Sequence, residues 1–164
     1  MLVGILSDTH FPKAYFPTKV AEFLKDRNVS YIIHAGDVTE KPLLEMLEDI
    51  APVIAVKGNA DKIDLPEEET LNILGRKILV LHGHQFISLS SQTLTYKALE
   101  EEADIIVFGH AHRPYYNEVK TMGRRIILIN PGSPTLPRMS EPTFAILQVT
   151  KDTIDVKFYN VWML

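Results

Sequence analysis

The sequence predicts an α/β fold with mixed sheets, and three observations carry that expectation. Apolar runs alternate with amphipathic stretches as far as Val56, the order of a βαβαβ unit with right-handed crossovers and parallel strands. Near the other end, two alternating segments flank Lys151-Asp152, as in an antiparallel hairpin. The 164 residues, 46% of them hydrophobic, suffice for a two-layer core or better in one domain spanning residues 1–164.

Taken in order, Leu2–Leu6 is a continuous apolar run ending at a polar cluster, which reads as a central strand buried on both faces. Pro17–Asn28 reads as a helix, with Thr18 near its start and Val20, Phe23 and Leu24 as its apolar stripe. Tyr31–Ala35 is a second buried strand. Pro42–Ile50 is a second helix, with Leu43, Leu47 and Ile50 on one face, and Pro52–Val56 a third strand. Lys57–Glu69 is polar and reads as a loop. Thr70–Leu81 fits two strands turning at Gly75-Arg76. Ser91–Glu102 is a helix capped by Ser90 or Ser91, with a weak apolar stripe. Ile105–Phe108, Arg124–Ile129, Phe144–Val149 and Thr153–Tyr159 complete the strands. The expected result is a parallel N-terminal half and an antiparallel C-terminal half.

Composition narrows the function. A net charge of −4 and a pI near 5.8 give no general attraction to nucleic acid or to an anionic membrane. With no Cys, neither a disulfide framework nor a thiol nucleophile exists. The opening M-L-V-G-I-L-S-D-T-H has no basic lead, and its apolar run is too short for a signal peptide or membrane span. A cytoplasmic protein is the expectation.

Seven residues able to hold metal stand in five short clusters, each just after an apolar run: Asp8 and His10 in S-D-T-H, Asp37 in H-A-G-D, Asn59 in G-N-A-D, His82 in L-H-G-H, and His110 and His112 in G-H-A-H. In open α/β sheets, ligands bind beyond the carboxyl ends of the strands, so all five clusters should share one rim. Oxygen and imidazole donors without thiolate suit Mn²⁺, Fe, Zn²⁺, Ni²⁺ or Co²⁺. Seven donors exceed one tetrahedral ion and suit two ions sharing a carboxylate, an arrangement that clamps the attacking and leaving oxygens of a hydrolytic displacement.

Singly, most of these clusters have an ordinary reading. Asp8 and Asp37 fit helix-capping residues, and Gly58-Asn59 fits a plain turn. His82-Gly83-His84 is harder to attribute to packing. Gly109-His110-Ala111-His112, two imidazoles two residues apart in a loop entered through a glycine, is the strongest single signal of chelation.

Read in order as D-x-H, G-D, G-N, H-G-H and G-H-x-H, the set resembles the calcineurin-like metallophosphoesterase superfamily, and most closely its small single-domain phosphodiesterase branch. The resemblance runs from Asp8 to the N-P-G-S at Asn130–Ser133. It implies a four-layer α/β/β/α sandwich of the metallo-dependent phosphatase type. It also implies two divalent ions, manganese foremost and Ni, Fe, Zn or Co as alternatives. One would be held by Asp8, His10 and His112, the other by Asn59, His82 and His110, with Asp37 bridging both. A hydroxide between the ions would attack the phosphorus of a small-molecule phosphodiester, and Asn59 could turn its amide donor toward substrate.

One position departs from the pattern. Many relatives carry His after the Asn of G-N, proposed to protonate the leaving group; here Ala60 stands there, followed by Asp61. His84 is the nearest replacement acid in the sequence, with fixing its loop as the alternative role. Gly132 should hold a special backbone conformation, and Arg138 could meet a substrate phosphate. Tyr115-Tyr116 and Val161–Leu164 are candidates for a homo-oligomer contact or for core. Two other functions fit the same family: a non-catalytic scaffold like the retromer subunit of this fold, which has lost ligands, and a nuclease or nucleotide phosphohydrolase. All seven ligand positions are filled here, and the basic surface usual in nucleases is missing.

Overall fold

Strands that are apolar along their whole length need cover on both faces, and the architecture supplies it with two face-to-face sheets, one carrying two helices and the other one helix on its outer side. The computed structural model describes residues 1–164. Strands β1 (Leu2–Leu6), β2 (Tyr31–His34) and β3 (Val53–Ala55) run parallel, linked by α1 (Thr18–Asp26) and α2 (Lys41–Glu48). Then come β4 (Glu68–Ile73), β5 (Arg76–Leu81), α3 (Ser91–Glu101), β6 (Ile105–Val107), β7 (Pro114–Thr121), β8 (Arg124–Pro131), β9 (Thr143–Val149) and β10 (Ile154–Asn160). One sheet has the order β10-β9-β1-β2-β3 and the other β4-β5-β6-β8-β7.

Side-chain alternation divides each strand between two cores. Val3, Ile5 and Ile33 of the first sheet meet Ile78, Val80, Ile105, Val107, Ile127 and Ile129 of the second in the central layer. On the outer face of the first sheet, Leu6, Ile32, Phe144 and Ile146 pack under Val20, Leu24, Leu43 and Leu47 of the helices. Leu79, Leu81, Ile106 and Leu128 cover the other outer face beneath Leu94 and Ala98 of α3. This is the four-layer α/β/β/α sandwich. Helix α3 starts where expected, with Ser90 as cap: its Oγ accepts from the Thr93 N–H, and Thr93 Oγ1 accepts from the Ser90 N–H.

The C-terminal half differs from the expected antiparallel arrangement. β5, β6 and β8 are mutually parallel, while β9 returns to pair antiparallel with β1 and carries β10 beside it. The alternation of a strand records which faces are buried but not which neighbour it pairs with. One edge strand, β7, escapes the apolar-run criterion, and another, β4, starts two residues earlier than expected. β7 begins at Pro114 and has no fully buried residue, and β4 begins at Glu68, inside the stretch read as loop. Proline and charge are typical of edges that must not pair further. The β4–β5 turn is Leu74-Gly75, both left-handed at φ 49° and 81°, one residue earlier than expected. No helix is long and apolar enough to cross a membrane.

Candidate metal centre

Each donor cluster follows a strand: Asp8 and His10 follow β1, Asp37 follows β2, Asn59 follows β3, His82 follows β5, and His110 and His112 follow β6. The parallel course of those strands within each sheet brings all seven residues to one end of the sandwich. Asp8, Asp37, His82 and His112 form a buried floor, while His10 and His110 are half-buried and Asn59 is exposed at the rim.

Two carboxylate oxygens sit between imidazoles contributed by different loops. Asp37 Oδ2 lies 3.5 Å from His10 Nε2 and 3.3 Å from His82 Nε2. Asp8 Oδ1 lies 3.4 Å from His112 Nε2 and 3.7 Å from His82 Nε2. On one side His10 Nε2 and His112 Nε2 approach to 3.3 Å; on the other His82 Nε2 is 3.0 Å from Asn59 Oδ1. The His82 and His110 rings meet edge-on at 5.1 Å. Asp8, His10, Asp37 and His112 offer donor atoms all within 4.8 Å of one another.

Tautomers follow from the outer nitrogens. His82 Nδ1 is 2.7 Å from the Ala35 carbonyl and His112 Nδ1 is 2.6 Å from the Leu136 carbonyl, so each carries its proton there. In the neutral rings both Nε2 atoms then present lone pairs to carboxylate oxygens. Asp8 Oδ1 is buried with no hydrogen-bond partner at all. Convergent lone pairs and an orphaned buried carboxylate oxygen are unfavourable alone and fit a cation, and the imidazole–carboxyl–amide set suits borderline divalent metals.

The metal-free electrostatics show the same demand. Burial pushes the Asp8 carboxyl up to about 7, against the His82 charge and the Ser7 hydroxyl that donates to it at 2.8 Å. At Asp37 burial also pushes upward, but the hydrogen bond and charge of His82 and the Ala60 N–H prevail and hold it at about 2. For His82, burial disfavours the charged ring, yet the hydrogen bond to Asp37 and the charges of Asp8 and Asp37 raise it above the ordinary value. His10, His110 and His112 are each lowered, foremost by burial, and so are kept neutral and ready to donate a lone pair.

Backbone strain concentrates here. Asp8, His10, Asp37, His110 and His112 all have positive φ, between 48° and 72°. Asp and His visit this region more readily than most residues, but five at one site mark a constrained cradle. The glycines of G-N and G-H permit its tightness: a Cβ at Gly58 would collide with the Asp37 carboxylate, and one at Gly109 with the Ser7 hydroxyl. Gly132 of N-P-G-S is left-handed at φ 77°, as expected, and Ser133 Oγ donates to the Asp8 carbonyl at 2.9 Å.

Two supporting residues had no assigned role in the sequence reading. Asp61, beside Ala60, is buried, and its carboxylate accepts from the N–H groups of Thr39 (2.7 Å), Gly58 (2.8 Å) and Asp37 (3.0 Å), pinning the G-D loop to the G-N loop. The only signal was an Asp two residues after Asn59. His34 ends β2 fully buried; Gly36 donates to its Nδ1, leaving Nε2–H to donate to Thr9 Oγ1 at 2.9 Å. Of the remaining candidates, His84 stands beside the centre, its ring 5.4 Å from that of His82, with a buried unpartnered Nδ1 and Nε2 3.9 Å from Glu67. The Arg138 side chain is exposed, while its N–H donates to the His112 carbonyl at 3.0 Å.

Comparison with known proteins places this geometry. The model of the calcineurin-like phosphoesterase superfamily domain matches residues 1–152. A probable metallophosphoesterase of Methanocaldococcus jannaschii is 40% identical over 163 residues, covering 98% of this chain and 82% of the relative. Vps29 of Entamoeba histolytica, solved in complex with zinc, superposes with a TM-score of 0.83 at 25% identity, over 98% of this chain and 99% of that one. A structure described as an archaeal phosphodiesterase gives a TM-score of 0.74 at 25% identity, over 97% and 100%.

Proposed function

The chain belongs to the calcineurin-like phosphoesterase superfamily, and from that premise we propose that it is a phosphodiesterase working with two divalent cations. The observation that supports this reading most is the position of Asp37 Oδ2, between His10 Nε2 on one side and His82 Nε2 on the other, where one carboxylate oxygen can serve two cations. Asp8, His10 and His112 would hold the first, and Asn59, His82 and His110 the second. Cations bound there supply Lewis-acid activation of water and neutralisation of charge on the phosphoryl oxygens.

The protein's own groups do the rest. Asp37 stays ionised because the imidazoles flank one oxygen and the Ala60 N–H donates to the other at 2.8 Å. Asn59 sits at the exposed rim, where its amide can also donate to a phosphoryl oxygen. Ala60 offers no proton donor. His84, with Glu67 near its Nε2, stands where it can deliver one to a departing oxygen. The archaeal phosphodiesterase of similar fold supports diesters as substrates, and manganese is the first metal to test. The likeness to Vps29 supports a second reading, a protein-binding scaffold, against which stands the filled donor set.

The deciding experiment reconstitutes the protein with each divalent metal and screens cyclic nucleotides, dinucleotides, glycerophosphodiesters and phosphomonoesters. Diester hydrolysis that follows metal loading is expected. Stoichiometric metal with no turnover on any ester would overturn the enzymatic reading.

A further inference from the structure

Beside the donor cluster lies a cavity of about 380 Å³ that the metal chemistry does not use. This falls in the range of about 300–1,000 Å³ usual for small-molecule sites. Its walls are Leu89 and Leu94 on and before α3, Phe108 at the end of β6, and Pro114 and Tyr115 at the start of β7. Phe108 and Tyr115 meet edge to face at 6.1 Å and form an aromatic corner. Ala111 also lines it. Ala111 is exposed and stands in the chain between His110 and His112, and successive Cα atoms are about 3.8 Å apart. The cavity wall therefore includes the residue that separates two of the donors in the chain.

Of the polar groups around it, the exposed Arg113 is free, and the neutral ones are largely engaged elsewhere. Ser90 is committed to the α3 cap, and the Ser91 hydroxyl to Tyr115 and to Asn117 Nδ2. Asn130 donates to the Gly109 carbonyl and accepts from the Gly132 N–H. A hydroxyl-rich group such as glycerol would lose its water there and find few partners, which is costly. A flat apolar group would lose nothing. It would gain burial against the aliphatic wall and an edge or face contact with Phe108 and Tyr115.

We propose that this cavity is the specificity pocket of the enzyme, taking an aryl or heteroaryl substituent of the phosphodiester while the phosphoryl group sits at the metal donors. The inference rests on the phosphodiesterase reading for the placement of the phosphoryl group. Tyr115 is then a specificity residue that touches the substituent and has no part in the chemistry.

The test uses two monoanions with no P–O–C bond to cleave, methyl(phenyl)phosphinate and dimethylphosphinate, titrated by calorimetry into zinc-loaded protein, with amide shifts followed by NMR. The phenyl compound should bind about tenfold tighter or better. Its shifts should centre on Leu89, Ala111 and Tyr115. Tyr115→Ala should erase most of that preference, and Tyr115→Phe should keep it. Equal affinities, or a preference untouched by Tyr115→Ala in a protein whose folded spectrum is unchanged, overturn the pocket. Diester turnover without aryl preference overturns the pocket and leaves the phosphodiesterase reading standing. Tyr115-dependent aryl binding with no turnover of any diester leaves the pocket and overturns the catalytic reading.

Discussion

The carboxylate of Asp61 lies beneath Asp37 and accepts its backbone N–H at 3.0 Å. It takes the Gly58 and Thr39 N–H groups as well, so one buried side chain sets the spacing between the loops that follow β2 and β3. Asp37 and Asn59 are therefore placed relative to one another by a residue that holds no metal.

Asp61→Asn keeps the size but cannot accept three amide protons, since one face of the amide now donates. Supporting residues of this kind cost about 10–100-fold in metal affinity or activity when changed. That loss is expected here with the fold retained, measured as metal affinity by competition with a chromogenic chelator and as diester turnover. Unchanged affinity and turnover would show that the loops are held by other contacts.

Asp37→Asn should be more damaging than any change at a ligand serving one side, because Asp37 Oδ2 faces His10 and His82 together. Turnover should fall by more than the about 10–100-fold expected of Asp61, and chelator treatment of the native protein should abolish it reversibly. Elemental analysis alongside kinetics checks this; two ions per chain with near-normal turnover in Asp37→Asn would refute the bridge.

With Ala60 in the rim loop, leaving groups that depart as stable anions should be favoured. General acid assistance is worth about 10²–10⁴ in rate. Aryl diesters should be cleaved faster than alkyl monoesters, and His84→Ala should slow poor leaving groups selectively. Rates plotted against leaving-group acidity decide: a slope unchanged by His84→Ala removes that residue from proton transfer.

His34 supplies a pH dependence of stability. Burial, with the charges of His82 and His10 adding to it, pushes the ring down to about 3 against an ordinary 6.5. At pH above 6.5 neither the folded nor the unfolded chain binds this proton, and the full stability is present. As pH falls from there toward about 3 the unfolded chain is protonated and the folded one is not, so stability drops by up to about 1.4 kcal/mol per unit. Metal-free wild type should therefore lose about 1 kcal/mol more than His34→Gln between pH 7 and 5.5 in urea unfolding. Equal losses would mean that His34 takes up its proton in the fold as readily as in the unfolded chain.

How much of this was legible follows from what a linear pattern can record. Val3-Ile5 against Leu6, or Ile78-Val80 against Leu79-Leu81, write two-sided burial into continuous apolar runs, so the central strands and the rim bearing Asp8, Asp37 and His82 were readable. Edge strands such as β7 have no such signature, and the pairing of β9 with β1 depends on contacts across more than a hundred residues. Asp61 was passed over because its role lies in three backbone amides rather than in a motif of its own. Asp and His tolerate the positive φ angles seen at Asp8, His10 and His110, but residue type alone does not call for them.

The donors divide between the sheets: Asp8, His10, Asp37 and Asn59 come from strands of one, and His82, His110 and His112 from strands of the other. An ion gripped by both groups is a rivet through the seam of the sandwich. Its full donor set exists only when the two halves have closed. By mass action the same grip returns the favour to the fold, each tenfold rise in free metal above its dissociation constant adding about 1.4 kcal/mol per bound ion. A cell low in the right metal would thus hold a protein that is easier to prise apart along that seam.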